Sequence, residues 1–269
     1  MPPSGDLPTL PPGMLCLKGF HSILSTLRAD PASIEQLFVA KDRHDSRLRE
    51  ALQLAAHIPC RRLSMTQLNA LSGRNHQGIV ACLKEATATL SLDSILQKAR
   101  QSSTQPLLLA LDGVTDPHNL GACLRNADAA GTQAVIVPKD RACGLNSTVL
   151  KVACGAAQHI PFITVVNLAR TLRQLKAQGL LVIGAQQDAR SQPLSMIDQT
   201  QPLVWVMGSE SKGLRRLVRE SCDVLAHIPM HGTVESLNVS VASGICLYET
   251  CQQRSAASAR AVQAGPKSA

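Results

Sequence analysis

The sequence predicts an α/β protein in two parts: a small N-terminal α/β module and a larger domain built on a parallel sheet. Short apolar runs alternate with segments of helical periodicity, as is typical of strands joined by helices. Between residues 86 and 105 the composition shifts to Thr, Ser, Gln and Ala, which indicates a linker. The predicted organisation is a leader over 1–17, a first domain over 18–85, a linker containing a short helix over 86–105, a second domain over 106–253 and a tail over 254–269.

The first 85 residues show a compact pattern after a proline-rich start. Five prolines lie within residues 1–16, so we expect a flexible leader, and an apolar core of a secretory signal is lacking there. Residues 18–85 carry ten Lys and Arg against six acidic residues. This excess fits an RNA-binding module and fits an ordinary charged surface equally well. The predicted elements are helices over 20–27, 47–57 and 65–71 and strands over 34–40 and 78–83.

The larger domain is predicted from a regular alternation of strands and helices. An apolar run over 106–111 is its first strand, and Asp116-Pro117 starts a helix over 119–130. The alternation implies a parallel sheet with helices on both faces. After residue 254 the chain is rich in Ala, Ser and Lys, and disorder is expected. Further strands are predicted over 134–137, 162–165 and 180–185, and further helices over 147–156 and 168–178.

Two loops near the end of this domain form the candidate site. An apolar run over 203–207 predicts a buried strand, and residues 208–213 (GSESKG) follow it as a loop with a glycine at each end. A second strand is predicted over 224–228, and Ser236 is expected to cap the helix that follows its loop. Each loop alone is explained by a turn or a cap. Together, at the carboxyl ends of two strands, they favour a ligand site.

Two common nucleotide-binding patterns do not match. The loop at 208–213 is followed by Leu214-Arg215, so the Lys-Ser/Thr pair of a P-loop is missing. A Gly-x-Gly-x-x-Gly fingerprint does not occur in the sequence, which disfavours an ordinary dinucleotide-binding fold or a methyltransferase of that type.

The composition favours a polyanionic partner and a reducing environment. The chain carries 27 Lys and Arg against 19 Asp and Glu, for a formal charge of +8. Aromatic residues make up only 2%, too few for a base-stacking platform, so RNA would be bound through phosphates and shape. The nine cysteines form no Cys-x2-Cys pair, which predicts reduced thiols and no metal site. No apolar run approaches the length of a membrane span.

Three segments resemble motifs 1, 2 and 3 of the SpoU (TrmH) family of RNA 2′-O-ribose methyltransferases. Residues 112–131, with Asn119 and Arg125, are similar to motif 1; residues 208–213 are similar to motif 2; residues 228–240 are similar to motif 3. The motifs occur in the family's order and spacing. The resemblance covers roughly residues 18–252, and the N-terminal module is similar to the family's L30e-like substrate-binding domain. The most similar members methylate a guanosine ribose in the peptidyl-transferase region of bacterial 23S rRNA.

The resemblance implies a fold, a cofactor and partners that periodicity does not show. The larger domain is expected to carry a deep C-terminal trefoil knot of the SPOUT type, a rare exception to unknotted topology. S-adenosylmethionine is expected to bind in the knot, held at Gly208, Ile228 and Leu237. The family is a homodimer through its knotted domain, with the active site near the subunit interface. A cytoplasmic protein acting on 23S rRNA or a pre-ribosomal particle is expected, with no membrane association.

Family resemblance also assigns the catalytic residues. Arg125 either accepts the proton of the ribose 2′-hydroxyl or stays charged and orients the ribose, and guanidinium basicity makes the first role chemically awkward. Asn119 is expected to position Arg125 or a substrate phosphate, or else only to begin its helix. Glu210 is expected to orient loop or substrate groups, and Ser236 and Asn238 to shape the pocket. A solvated loop acid and helix caps remain the plainer alternatives for these residues. A metal is not required for methyl transfer, and the nearby His118 and His231 are expected to be bystanders.

Two other functions compete with this hypothesis. A tRNA ribose methyltransferase of the same family would fit the motifs, but the separate N-terminal module argues against it. A non-catalytic RNA-binding or ribosome-assembly protein on the same scaffold would fit the charge. Loss of Arg125 or of the motif 2 glycines would have favoured that interpretation, and both are retained.

Overall fold

A computed structural model of the chain describes residues 16–84, 91–102, 104–210 and 212–263. The strands are β1 (Cys16–Lys18), β2 (Ile34–Ala40), β3 (Cys60–Leu63), β4 (Ile79–Leu83), β5 (Leu107–Asp112), β6 (Ala134–Pro138), β7 (Phe162–Val165), β8 (Leu181–Ala185), β9 (Gln192–Pro193), β10 (Leu203–Gly208) and β11 (Val224–His227). The α-helices are α1 (Phe20–Ala29), α2 (Ser46–Leu54), α3 (Met65–Ser72), α4 (Leu92–Gln101), α5 (Pro117–Ala129), α6 (Ser147–Ala153), α7 (Ala156–His159), α8 (Leu168–Ala177), α9 (Arg216–Arg219) and α10 (Val239–Gln263).

The described residues form two compact units. The first comprises residues up to 84 together with 145–158, and the second comprises the described residues of 91–144 and 159–263. None of the helices in the part of the chain that the structure describes is long and apolar enough to cross a membrane.

The first unit is a four-stranded mixed sheet with helices on both faces. Its strand order is β1-β4-β2-β3, with β4 antiparallel to β1 and β2, and β2 parallel to β3. Every residue of β4 is buried, as its central position requires. Leu17 and Ile23 belong to the core that α1 and α2 cover, while Leu68 of α3 packs with Phe38 on the other face.

Two strands of this sheet were not predicted. Strand β1 begins at Cys16, so the last two residues of the expected leader are part of the sheet, whereas residues 1–15 lie outside the described residues. Strand β3 has the sequence CRRL, and only its leucine is buried. A three-residue strand and a polar edge strand lack the apolar alternation by which strands are recognised in a sequence.

Helix α6 belongs to the first unit, although the alternation of elements had placed residues 147–156 in the larger domain. Leu150 is 3% exposed and joins the core formed by α1 and α2. The predicted single helix ends at Ala153 because Cys154 and Gly155 have left-handed φ angles of 51° and 99°. An apolar helix face predicts burial, but it does not say which sheet provides the partner.

The second unit is built on a seven-stranded sheet in which every paired strand is parallel. The order is β7-β6-β5-β10-β8-β11-β9, so the predicted parallel sheet is confirmed. Helices α4 and α8 cover one face, where Leu96 and Leu172 pack against Val204 and Val206. On the other face Trp205 is fully buried, and its Nε1 donates to Thr250 Oγ1 of α10 at 2.9 Å.

The expected linker is partly built into this second unit. Residues 85–90 and 103 lie outside the described residues, but α4 has Ile95, Leu96 and Ala99 buried. Ser91 caps the helix by accepting the backbone N–H of Ser94 at 3.1 Å. The apolar face of α4 was not recognised in the sequence, because its three buried residues are spread over five positions within the polar segment 86–105.

The strand order reverses beside β5, and the polar strand ends meet there. Strands β6 and β7 lie on one side of β5, and β10 lies on the other side, between β5 and β8. Asp112 and Gly208 end the adjacent strands β5 and β10, and His227 ends β11, which lies beyond β8 on the same side. Ligands of parallel α/β sheets bind where the order reverses, at these carboxyl ends.

The last helix differs from expectation at both ends. It begins at Val239, and Asn238 rather than Ser236 caps it, with Asn238 Oδ1 accepting the backbone N–H of Ser240 at 2.9 Å. It continues to Gln263, so residues 254–263 of the expected disordered tail are helical.

Arg254 explains why the helix continues past the predicted end of the domain. Its guanidinium donates to the backbone carbonyls of Gln105, Pro106, Gln199 and Gln201 at 2.7–3.2 Å. Desolvation by this burial lowers the pKa of Arg254. Four carbonyl partners for one side chain hold this part of the helix firmly against the second unit. The Ala- and Ser-rich sequence around Arg254 does not predict this contact.

Candidate active site

The loop after β10 is a tight turn, in which the backbone of Gly208 lies against the backbone of Gly213 and Leu214. Ser209 and Gly213 exchange two backbone hydrogen bonds, of 3.2 and 2.8 Å. A Cβ at Gly208 would lie 2.3 Å from the carbonyl carbon of Gly213 and 2.5 Å from the nitrogen of Leu214. Gly213 itself has a left-handed φ of 61°. Position 208 therefore tolerates no side chain, which explains the glycines that bracket the motif. Ser211 lies outside the described residues.

A mainly apolar cleft opens at the carboxyl ends of β8, β10 and β11. It encloses about 830 Å³ with its open mouth included. The three residues expected to hold the cofactor, Gly208, Ile228 and Leu237, all line it, and so does Ser236. Its other lining residues are Ala185, Gln186, Gln187, Leu194, Met207, Ser209, Glu210, Gly213, Ala226, His227, Met230, Glu235, Val239, Ala242 and Cys246.

Thiol chemistry is not available from the buried cysteines of this region at neutral pH. Cys246 lines the cleft, and burial raises its pKa to about 12. Burial likewise raises the pKa of Cys123 on α5 to about 11, although a hydrogen bond from Ser243 acts in the opposite direction. A cysteine nucleophile reacts as the thiolate, which these two side chains do not form near pH 7.

Three predicted site residues, one from each motif, meet in a hydrogen-bonded cluster. Glu210 Oε1 accepts from Asn119 Nδ2 at 3.0 Å, from Asn238 Nδ2 at 2.5 Å and from the backbone N–H of Val239 at 3.3 Å. Asn238 Nδ2 also donates to Asn119 Oδ1 at 2.9 Å. The carboxylate thus joins the loop after β10 to the first turns of α5 and α10, and its charge faces the favourable end of α10.

A second, polar cavity shares Ser209, Glu210 and Val239 with the cleft. It lies at the end of β5 and the start of α5, and Asp116 caps that helix by accepting the backbone N–H of Asn119 at 2.9 Å. Three cationic side chains that sequence reasoning did not single out line it, namely Arg141, Lys212 and Arg215.

Arg215 fastens the loop to the end of β5. Its Nε donates to Asp112 Oδ1 at 2.6 Å, and its backbone N–H donates to Oδ2 at 2.8 Å. The side chain of Asp112 is fully buried. A buried carboxylate needs such a charged, hydrogen-bonded partner. The signal available in the sequence was an aspartate at the end of an apolar strand. Its partner, Arg215, lies 103 residues away and could not be identified from that signal.

Arg125 lies on the exposed side of α5, next to the contact between α5 and α10. Its neighbour Asn126 donates to the Ser240 carbonyl at 2.6 Å, which holds the two helices together. Arg125 is absent from the described residues that line the cleft and the cavity. Its catalytic role therefore stays a prediction. The two suspected bystanders, His118 and His231, are exposed and also line neither space.

His227 is a cleft residue that the motifs did not indicate. It ends β11, and its Nδ1 is 2.9 Å from Ser191 Oγ. Groups of three His, Cys, Asp or Glu side chains placed to bind a metal ion do not occur within the described ranges.

The fold and the two spaces define a class of protein. It is an α/β protein with a parallel sheet and room for two ligands side by side, one in an apolar cleft and one among cationic side chains. The model of the SpoU rRNA Methylase family matches residues 106–248, and a model described as RNA 2′-O ribose methyltransferase substrate binding matches residues 16–88. The chain belongs to the SpoU rRNA methylase family, as the motifs predicted.

Curated relatives match nearly the whole chain. Proteins named 23S rRNA (guanosine-2′-O-)-methyltransferase RlmB share 51% identity over 246 residues in Burkholderia sp and 50% over 247 residues in Ralstonia nicotianae. These matches cover 90% and 91% of this chain and 98% of each relative. The protein of that name from Pseudomonas aeruginosa is 50% identical, covering 88% of this chain and 95% of the relative.

Solved structures show the same fold. The SpoU methyltransferase AviRb from Streptomyces viridochromogenes aligns with a TM-score of 0.74 and 23% identity, covering 91% of both chains. A structure titled RNA 2′-O ribose methyltransferase aligns with a TM-score of 0.69 and 26% identity, covering 90% of this chain and 89% of that one.

Proposed function

We propose that this protein transfers a methyl group from S-adenosylmethionine to the 2′-oxygen of a guanosine ribose in 23S rRNA. The observation that carries the proposal is the near full-length match to relatives named for that reaction, at about half identity and 95–98% of their length. We expect the target in the peptidyl-transferase region, in free rRNA or in a pre-ribosomal particle. An enzyme with that substrate works in the cytoplasm.

The cleft fits S-adenosylmethionine. Gly208 contributes backbone to the cleft wall, and Ile228 and Leu237 offer apolar surface beside it. These three residues would hold the cofactor, which supplies an electrophilic methyl group on a sulfonium. Two neighbours in fold, AviRb and an rRNA methyltransferase from Sinorhizobium meliloti, are solved with AdoMet bound.

The residues of the chain have separate tasks in this reaction. A ribose 2′-hydroxyl is a weak nucleophile, so its proton must leave as the oxygen attacks. We assign the ribose to Arg125, as proton acceptor or as the cation that orients the hydroxyl. Asn119, Glu210 and Asn238 hold the loop after β10 against the starts of α5 and α10, so that cleft and cavity keep their common wall. Ser236, in the wall of the cleft, shapes the pocket.

A second copy of the chain would cover the exposed apolar face of α10. Val241, Ile245 and Tyr248 are 51%, 36% and 65% exposed and lie four and three residues apart, which aligns them along one side of the helix. Arg125 is close to this face because α5 packs beside α10. A homodimer through this face would place each Arg125 near the partner's cleft. Tyr248→Glu is expected to give monomers in analytical ultracentrifugation.

We also propose the knot and a recognition role for the first unit. Strand β10 inserts between β5 and β8, two strands that precede it in the sequence, and this return of the chain into the sheet is compatible with a trefoil knot. The first unit, matched by the substrate-binding model, is proposed to be the L30e-like module that recognises rRNA. A TrmH/SpoU tRNA modifying enzyme from A. aeolicus aligns with only 63% of this chain, which is one argument against tRNA as the target.

The direct test offers unmodified 23S rRNA and tRNA to the purified protein with methyl-labelled S-adenosylmethionine, and maps the label by ribose-methylation-sensitive sequencing. Label at one guanosine of 23S rRNA is expected. Label only in tRNA would show that tRNA is the substrate in place of 23S rRNA. Cofactor binding without label on free rRNA or on precursor particles would favour a non-catalytic role.

Variants at Arg125 test its role. Arg125→Ala is expected to abolish methylation with cofactor binding retained, whereas the exposed Arg260→Ala on α10 serves as a control with full activity. Arg125→Lys distinguishes the two mechanisms because lysine has an ordinary pKa of about 10.4. Its kcat rises toward pH 10 if residue 125 must accept a proton, and falls there if residue 125 acts as a cation. Mixing Arg125→Ala with Glu210→Ala subunits is expected to restore activity if the arginine acts across the dimer.

A further inference from the structure

The polar cavity beside the cleft contains two cations that have no polar partner among the described residues. The acids around it are already engaged: Asp112 with Arg215, Asp116 with the first turn of α5, and Glu210 with the two asparagines. Arg141 and Lys212 line the same cavity, and neither side chain forms an ion pair or hydrogen bond with any residue that the structure describes.

Arg141 is held there by a constrained loop. Its φ is 59°, a left-handed conformation that is uncommon for residues other than glycine. The loop is tied to the cavity wall by a backbone hydrogen bond from Cys143 to Val114 at 2.9 Å. Non-glycine residues in such conformations persist where the surroundings enforce them, and they cluster at ligand sites.

The position of the cavity next to the cleft indicates which chemical group the two cations would bind. The cavity shares the wall of Ser209, Glu210 and Val239 with the cleft in which we place the cofactor. If the ribose of the target nucleotide faces the cleft, the phosphates on its 5′ and 3′ sides lie within one step of the RNA backbone from that ribose. Two cations without an ion-pair partner among the described residues match a phosphodiester at that distance, since Arg forks onto two phosphate oxygens and Lys acts as a point charge.

We propose that Arg141 and Lys212 bind one phosphodiester adjacent to the target ribose and thereby set the register of the RNA strand in the active site. The proposal rests on the proposed function. It makes the two residues positioning residues: they hold the strand, while Arg125 handles the ribose.

The test uses Arg141→Gln and Lys212→Gln in the full-length protein. Each variant is expected to raise KM for 23S rRNA at least tenfold at physiological salt, with kcat and the Kd for S-adenosylmethionine within twofold of the parent. The slope of log affinity for RNA against log salt should weaken by about 0.7 to 0.9 for each phosphate that the variant no longer neutralises. Intact cofactor binding, measured by calorimetry, confirms folding.

Lys98→Gln is the matched control. Lys98 is exposed on α4, and its neighbour Arg100 donates to the Gln178 carbonyl just before β8, so this helix end lies at the amino edge of the sheet, opposite the cavity. Lys98→Gln removes the same charge and should leave KM and the salt slope unchanged. Equal effects from all three variants would reduce the proposal to general charge attraction and overturn it.

Modified RNA distinguishes the two phosphates that could be bound. A short RNA carrying a methylphosphonate on the 5′ or the 3′ side of the target guanosine loses one charge. One of the two substitutions should weaken binding to the parent protein and have no further effect on the variant that carries both Arg141→Gln and Lys212→Gln. Additive losses in the variant would contradict the assignment. If the parent methylates no 23S rRNA, the proposed function fails, and the salt slopes of RNA binding still decide whether the cations contact phosphate.

Discussion

The cleft and the cavity share one wall but are built in opposite ways. The cleft takes its shape from close backbone packing at Gly208 and from apolar side chains such as Ile228 and Leu237. The cavity takes its character from side chains on three separate loops, among them Arg141 and Lys212. Changes in the cleft should therefore act on the cofactor, changes in the cavity on RNA, and changes in the shared wall on both.

Gly208→Ala should have the largest effect. The added methyl would lie 2.3 Å from the Gly213 carbonyl carbon, so the loop must move away and the cleft loses its floor. We expect S-adenosylmethionine binding to fall below detection and thermal stability to drop markedly, because overpacking against backbone costs about 1–3 kcal/mol or more. Calorimetry and thermal unfolding measure the two effects. Gly144→Ala is the control, since no atom of the described residues lies within 4 Å of its Cβ position; similar losses in both would show that crowding at Gly208 is not the cause.

Glu210→Gln should rank second, and it tests the shared wall. The substitution keeps the shape but removes the charge to which Asn119, Asn238 and the Val239 N–H donate. Charged acceptors make stronger hydrogen bonds, and losing one costs about 1–3 kcal/mol. We expect kcat/KM to fall roughly 10- to 100-fold, with the cofactor Kd and the RNA KM both raised. A rise in only one of them would mean that the wall serves a single ligand.

These two sites differ in how far a sequence can predict them. Apolar runs located most strands to within a residue, such as β10 over Leu203–Gly208, because burial on both faces leaves a continuous signal. The roles of Asn119, Glu210 and Asn238 came from motif resemblance, and that they touch became visible only in the fold. Local pattern could not predict that α6 packs on the first unit, because an apolar helix face does not specify its partner.

The helix cap and the cavity residues could not be predicted from the sequence for a related reason. Ser236 and Asn238 are both good helix caps, and the choice between them depends on which residue the Glu210 carboxylate holds at the helix start. Arg141 and Arg215 look like ordinary surface arginines in the sequence. Their significance comes from a left-handed backbone and from Asp112, about one hundred residues away from Arg215.

Ile228→Ala should have a moderate effect confined to the cleft. The side chain is half-buried in the cleft wall, so removing it takes apolar contact from the cofactor without touching the cavity. A loss of about 1 kcal/mol predicts a cofactor Kd roughly fivefold higher. Calorimetry measures this Kd, and filter binding at several salt concentrations should give an unchanged slope for RNA. A changed slope would show that the two spaces are not independent.

Cys246→Ala should have the smallest effect. Burial raises the pKa of Cys246 to about 12, so the thiol is neutral and acts as a small apolar group. We expect kcat within about twofold of the parent between pH 7 and 9 and a slight loss of stability from the smaller side chain. A large fall in kcat that grows with pH would instead reveal thiolate chemistry in the cleft.

Helix α10 is clamped at both ends. Asn238 fixes its start to Glu210 at the carboxyl edge of the sheet, and sixteen residues later, about 24 Å along the helix, Arg254 binds four carbonyls near the amino ends of β5 and β10. A helix held in this way cannot slide past its neighbours, which excludes shear as a means of closing the cleft. Movement on ligand binding is left to the loop over 229–237, while α10 serves as the fixed frame beside it.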